Sequence, residues 1–466
     1  MTSQAPMDVS PMHTWNERTD LFAHSVIGYA LERMKLQKDT TWGALPGDEL
    51  AAQLAHVITP SGIGAMEAMR VFRDVLMPAC SPLDHPMNVA FVPAAPSVAS
   101  TMFDLVVSAS SIFAGIWDAG AGAIAAENQA IRWLADLAGY PSTAGGVFVS
   151  GGSAANLSAL VTARGAHLAK YGRGKRLAFA ATHEVHASAR AAARVMDVDV
   201  VDVDVDERGR MTASALRVAL DRANDHQVFA VVATAGTTNA GMIDPLAEIA
   251  AVCDESDLWL HVDGAYGLAA LCAPSVRDQF AGIERADSFG VDPHKWLFVP
   301  YDCAALVYRD PTLAPPVHAQ HGDYLEAVDR GQWNPADYAY HLSRRARGLP
   351  LWFGLATYGT DAYTDAVEHA LTTVRCFAAA IDEHPDFELL LDPVLAVVLF
   401  KRNGWTIDDY NDWSHRRARE GVTLMLPTWW QGGPCLRACV VDPRTTVDML
   451  TPLLDDLSRE RYVPGH

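Results

Sequence analysis

Between about residues 100 and 310 the chain alternates short apolar runs with stretches of helical spacing. The runs at 147–149, 177–181, 228–233, 258–262 and 304–308 are almost continuously apolar. That is the pattern of strands covered on both faces. Apolar positions three and four apart mark helices at 156–167, 186–195, 213–222 and 245–255. Strands alternating with helices predict an α/β fold: a mostly parallel central sheet with helices on both faces. Ligands of such sheets gather at the carboxyl ends of the strands.

The flanks follow other patterns. Residues 1–84 read as a helical segment, with helical spacing at 21–34 and 64–76 on either side of a Pro/Gly break at 60–62. The large domain is expected at 85–355. Residues 356–466 read as a small α+β domain, with helices at 358–381 and 445–459 and strands at 394–401 and 435–441. The acidic run 197–206, DVDVVDVDVD, alternates like an exposed edge strand. It lacks the glycine-punctuated loop and closing Glu of an EF-hand calcium site.

Composition narrows the function classes. Half of the 466 residues are hydrophobic and 20% are charged, which gives a large core and excludes a disordered chain. With 36 Lys+Arg against 56 Asp+Glu the net charge is −20, so neither nucleic acid nor an anionic membrane is an expected partner. A small anionic ligand stays open, because local fields can oppose the global one. The apolar stretch 105–117 is bracketed by Asp104 and Asp118 and is too short to span a bilayer. The first residues show no signal-peptide pattern. Seven cysteines form no CxxC pair, and no histidine lies near Cys435 and Cys439. Reduced thiols, no metal and a cytoplasmic location are therefore expected.

Four segments carry candidate chemistry. Lys295 stands in DPHKW among His294, Trp296, Leu297 and Phe298. Loss of solvation there is expected to lower its pKa and make it a better amine nucleophile. Taken alone, a snorkelling surface lysine is the competing reading. Asp263 ends an apolar strand in HVDGAY and needs a cation or a donor as partner, for which a protonated pyridine nitrogen is suited. Gly151–Gly152–Ser153 joins a strand to a helix and offers free N–H groups to a phosphate, although it is neither a Walker nor a GxGxxG sequence. His183 and His186 are three apart, which is not zincin spacing; one imidazole can stack on a planar ring, or simply cap a helix.

Together with Gly236–Thr237–Thr238, these motifs occur in the order found in the pyridoxal-phosphate-dependent group II amino-acid decarboxylases, which the chain resembles over roughly 85–355. That family includes the aromatic-L-amino-acid, glutamate, histidine and tyrosine decarboxylases. The resemblance implies fold type I (aspartate aminotransferase-like) and pyridoxal 5'-phosphate as cofactor. It implies that Lys295 carries the cofactor, Asp263 pairs with its ring nitrogen, and Ala265 and His186 cover the two ring faces. Gly152, Ser153 and His294 would hold the phosphate, with Asp292 nearby, and Thr238 would lie close to the cofactor or Asp263. A loop tyrosine acting across a homodimer, with active sites shared by the subunits, would protonate the substrate carbon. Tyr338 is the first match and Tyr340 its rival. Phe113, Gly115 and Trp117 would line the substrate pocket, with Gly115 where aromatic-acid enzymes carry a bulky residue. Arg437 would face the substrate carboxylate or form a structural ion pair. Pro93–Ala94 stands where several relatives have Pro-Thr. The implied reaction is decarboxylation of an apolar or aromatic L-amino acid to its amine. The alternatives are an aldehyde synthase and a non-catalytic binding protein on the same fold.

Overall fold

The computed structural model describes residues 11–35, 45–320 and 331–460. Contacts divide the chain into two compact units, Met1–Pro82 with His415–Val422, and Leu83–Ser414 with Thr423–His466. The first unit contains the helices Glu17–Lys35, Gly47–Leu54 and Ala65–Val71, the last running into a π-helical turn at Phe72–Leu76. The helices Glu17–Lys35 and Gly47–Leu54 bury none of their residues within the chain. Leu21 is 70% and Ile58 95% exposed.

The second unit is built on a seven-stranded sheet of β1 (Gly145–Val149), β2 (Arg176–Thr182), β3 (Asp199–Val203), β4 (His226–Thr234), β5 (Trp259–Asp263), β6 (Ser288–Val291) and β7 (Ala304–Tyr308). Their order is β1-β7-β6-β5-β4-β2-β3. The pairs from β6 through to β3 are parallel, while β7 runs antiparallel to both neighbours. Every residue of β1, β5, β6 and β7 is buried, which is why β1, β5 and β7 read as apolar runs. The acidic run forms the edge strand β3, paired only with β2. Arg176 neutralises Asp197 and Asp199 there, and Arg190 neutralises Asp202. Among the described residues no helix is long and apolar enough to cross a membrane.

A second, antiparallel sheet consists of β8 (Phe387–Leu389), β9 (Val397–Arg402), β10 (Leu426–Trp430) and β11 (Gly433–Cys439), in the order β10-β11-β9-β8. The helix Leu349–Asp382 begins well before the stretch expected from spacing and kinks at Gly359, whose φ of +77° suits glycine.

One buried ion pair ties the helix Trp117–Leu137 to the segment leading into that long helix. Arg344 donates from both Nη atoms to the two oxygens of Glu127, each at 2.7 Å, and Nη1 also reaches the Ala114 carbonyl. Glu127 Oε1 further accepts the Gly348 amide at 2.8 Å. Removing one partner strands the other charge without water. Glu127→Ala is therefore expected to destabilise the protein by about 3–5 kcal/mol. Denaturant unfolding measures this, and a loss below about 1 kcal/mol would mean that the pair behaves like an exposed one.

Candidate active site

The carboxyl ends of the parallel strands converge on a cavity of about 290 Å³. β5 delivers Asp263 to it, and the turn after β5 adds Ala265 and Tyr266. The segment after β6 supplies Lys295, the turn after β2 His186, and the end of β4 with its loop Thr234, Gly236 and Thr238. Phe91, Val92 and Tyr301 complete the lining.

Asp263 is buried, and each of its oxygens accepts one hydrogen bond within the protein. Its Oδ1 accepts the Ala265 amide at 3.1 Å, and Oδ2 accepts Asn156 Nδ2 at 2.8 Å. Lys295 lies 3.0 Å from Asp292 Oδ2. Burial by itself depresses the Lys295 pKa, but the charge and hydrogen bond of Asp292, with Asp263 and Tyr301 adding, outweigh it and raise the pKa above the ordinary lysine value. The expected depression is thus reversed, and the amine is held as an ammonium against Asp292. His294 Nδ1 accepts the Cys303 amide at 3.1 Å, so the neutral ring carries its proton on Nε2. That nitrogen is 3.6 Å from Asp292 Oδ2. Burial lowers the His294 pKa and favours this neutral form.

The residues fit the cofactor. The helix Gly152–Tyr171 starts without a side-chain cap, which leaves its first N–H groups for an anion. A Cβ on Gly152 would lie 3.1 Å from Ala265 Cβ and 3.2 Å from Asp292 Oδ2, so only glycine leaves this approach open. Ser153 follows on the first turn and is exposed. Asp292 Oδ1 is buried with no hydrogen-bond partner among the described residues, an acceptor left for a group in the cavity.

Other expected site residues lie elsewhere. Tyr338 does not line the cavity of its own chain. Its ring stacks on Trp333 at 3.9 Å, and its carbonyl accepts the Tyr308 hydroxyl. Burial pushes its phenol up to about 12. Tyr340 is 53% exposed. Gly115 and Trp117 pack against the segment 334–342: Gly115 accepts the Ala336 amide, a Cβ on Gly115 would strike the Leu342 carbonyl and crowd the Phe113 ring beside it, and the Trp117 amide donates to Asn334. Arg437 donates to the carbonyls of Thr238, Asn239 and Phe91. It therefore clamps two lining segments together, and it forms no ion pair among the described residues. Sequence reasoning missed Phe91, Val92, Tyr266 and Tyr301 as lining residues. Tyr301, six positions past Lys295, has its ring 4.5 Å from that of His294. Position after the lysine motif was the only local signal for it.

A lysine, a strand-end aspartate and a glycine cradle on this sheet define a pyridoxal-phosphate enzyme of fold type I. The pyridoxal-dependent decarboxylase conserved domain matches residues 65–403. The chain belongs to that family, and it is a pyridoxal-phosphate-dependent carboxy-lyase acting on an amino acid. It is 30% identical over 425 residues to an aromatic-L-amino-acid decarboxylase of Bacillus atrophaeus, covering 88% of each chain. It is 27% identical over 470 residues to an L-2,4-diaminobutyrate decarboxylase of Acinetobacter baumannii, covering 94% of this chain and 92% of that one. Among solved structures, Oryza sativa TDC with PLP and tryptamine superposes with a TM-score of 0.87 at 22% identity, covering 98% of this chain and 99% of the other.

Proposed function

We propose that the chain decarboxylates an L-amino acid with an apolar or aromatic side chain, releasing the amine and carbon dioxide. The observation that carries this reading is the lining of the cavity. Among the described residues Asp263 is the one acid that lines it, and in this reading that carboxylate is committed to the cofactor's ring nitrogen, while Asp292 is held against Lys295. That leaves no lining carboxylate for a side-chain ammonium such as that of 2,4-diaminobutyrate. Lys295 is the one lysine or arginine among those lining residues and carries the cofactor, which leaves none for an acidic side chain. Phe91, Val92, Tyr266 and Tyr301 instead offer apolar and aromatic surface.

In this reading Lys295 carries the cofactor, and Asp263 keeps the proton on its ring nitrogen. His186 and Ala265 bound the ring, while Gly152, Ser153 and His294 hold the phosphate beside Asp292, with Thr238 at the rim. The bound cofactor supplies an electron-withdrawing ring for the carbanion left by decarboxylation. Arg437 positions Phe91 and Thr238 rather than the substrate. Phe113, Gly115 and Trp117 reach substrate only in a cavity completed by a second subunit. The same holds for proton delivery by Tyr338 or Tyr340. A homodimer is supported by the helices Glu17–Lys35 and Gly47–Leu54, none of whose residues is fully buried within the chain. A reducing compartment, the cytoplasm, is supported by seven free cysteines.

A screen of the proteinogenic amino acids and 2,4-diaminobutyrate with pyridoxal phosphate, read by chromatography of products, tests the reading. Amine release is expected from aromatic or large apolar substrates. Turnover confined to diaminobutyrate or glutamate would overturn the assignment, and aldehyde in place of amine would make the enzyme a synthase. In the same assay, Tyr338→Phe and Tyr340→Phe identify the loop donor by loss of amine. Full amine formation by both would remove these tyrosines from the mechanism.

A further inference from the structure

The first turns of the helix Gly152–Tyr171 place a fully buried amide, Asn156, beneath the cavity. Its Nδ2 donates to Asp263 Oδ2 at 2.8 Å and to Ser188 Oγ at 3.0 Å, and its Oδ1 lies 3.0 Å from His261 Nε2. The amide can point only one way, because a carboxylate accepts and does not donate. His261 must then donate from Nε2. Burial drops its pKa to about 4 and keeps the ring neutral, so Nδ1 accepts the Ser288 hydroxyl at 2.8 Å. Ser288 in turn accepts Trp259 Nε1 at 2.9 Å.

The other branch is equally determined. Ser188 Oγ receives the Asn156 proton and lies 2.7 Å from His186 Nδ1, to which it donates because that nitrogen is already an acceptor for a backbone N–H. The Ser188 amide also points at that nitrogen, at 3.3 Å. With two donors aimed at it, Nδ1 is the accepting nitrogen and the ring proton sits on Nε2. A single direction of donation thus runs from Trp259 to both Asp263 and His186, and both branches pass through Asn156.

We propose that Asn156 is the positioning residue of this site, holding the Asp263 carboxylate by direct donation and, through Ser188, fixing the His186 ring with its proton on Nε2. The inference rests on the reading that Asp263 and His186 flank the cofactor. It makes Asn156 a coupling point, because a change there reaches the charge at the floor and the imidazole at the wall together. No change to either residue alone does this.

Asn156→Asp is nearly isosteric and puts a second carboxylate against Asp263, so one of the two must take up a proton. It also removes the donor to Ser188, whose proton is then drawn toward residue 156 and away from His186. Ser188→Ala cuts only the His186 branch. Thr162→Val is the control: it removes buried hydrogen bonds to Tyr308 and His318 from the same helix, outside the network. The cofactor-loaded enzymes are titrated by visible absorbance, and kcat and KM are measured against pH. In Asn156→Asp the spectral transition is expected to move by about one pH unit or more, as a like charge demands. Its kcat is expected to fall about 10- to 100-fold, the scale on which outer-shell partners act in metal sites, with KM little changed. Ser188→Ala is expected to lower kcat and alter the pH profile with a smaller spectral shift, and Thr162→Val to leave both profiles unmoved. Wild-type titration and kcat in Asn156→Asp, or equal losses in Thr162→Val, would overturn the proposal. If Asn156→Asp does not fold, a wild-type pH profile in Ser188→Ala overturns it instead. Failure of the wild-type protein to take up pyridoxal phosphate would overturn the reading of the site itself, a different result from an active enzyme with an inert Asn156.

Discussion

Lys295→Ala is expected to abolish the visible absorption of the cofactor-loaded protein and to cut amine formation by about 10³-fold or more, as loss of an essential nucleophile does. Lys295 supplies the only amine among the described residues lining the cavity. It also neutralises Asp292, at 3.0 Å. The alanine variant therefore removes two things at once, because Asp292 would then be buried with no cation beside it. Lys295→Arg separates them. Arginine keeps a positive charge against Asp292, yet its guanidinium does not lose its proton and cannot attack a carbonyl. Near-native melting with no visible band is expected for Lys295→Arg, and a lower melting temperature with no band for Lys295→Ala. A lysine-type spectrum in either variant would place the attachment on another residue.

The legible parts of the molecule were those decided locally. Five of the seven strands of the main sheet announced themselves because burial on both faces leaves nearly continuous apolar runs, and the acidic edge strand β3 because one face stays wet. β6 has only four residues, among them Ser288 and Gly290, and it hid in the approach to the lysine motif. The reversed direction of β7 depends on pairing with β1 and β6, which no local pattern encodes.

The site divides in the same way. Asp263, Lys295 and the Gly152 turn lie at strand ends, where the motif and the fold point to the same place. Phe91 and Tyr301 come from loops, and nothing periodic marks them. Phe91 reaches the cavity rim with a φ of +53°, its carbonyl bound to Arg437, 346 positions away. The sign of the Lys295 shift was lost for a related reason. Its apolar neighbours in sequence predicted desolvation, but Asp292, three residues back at the N-cap of the short helix Pro293–Trp296, holds the ammonium.

Asp263→Asn is expected to leave the cofactor bound while turnover falls by about 10²- to 10³-fold, the scale of removing one preorganised electrostatic partner. The reason for retention is that the variant leaves Lys295 and the residues proposed to hold the phosphate, Gly152, Ser153 and His294, unchanged, with Lys295 and His294 still beside Asp292. The reason for the loss is charge. Asp263 accepts two N–H groups with two oxygens, and asparagine has only one oxygen to offer. Either the Ala265 amide or Asn156 Nδ2 then faces another donor, and no anion remains to hold a proton on the ring nitrogen. Near-native turnover would mean that its charge is not used, and loss of bound cofactor would make it an anchor. Reduced turnover with the cofactor retained is the signature of a charge that acts on the ring.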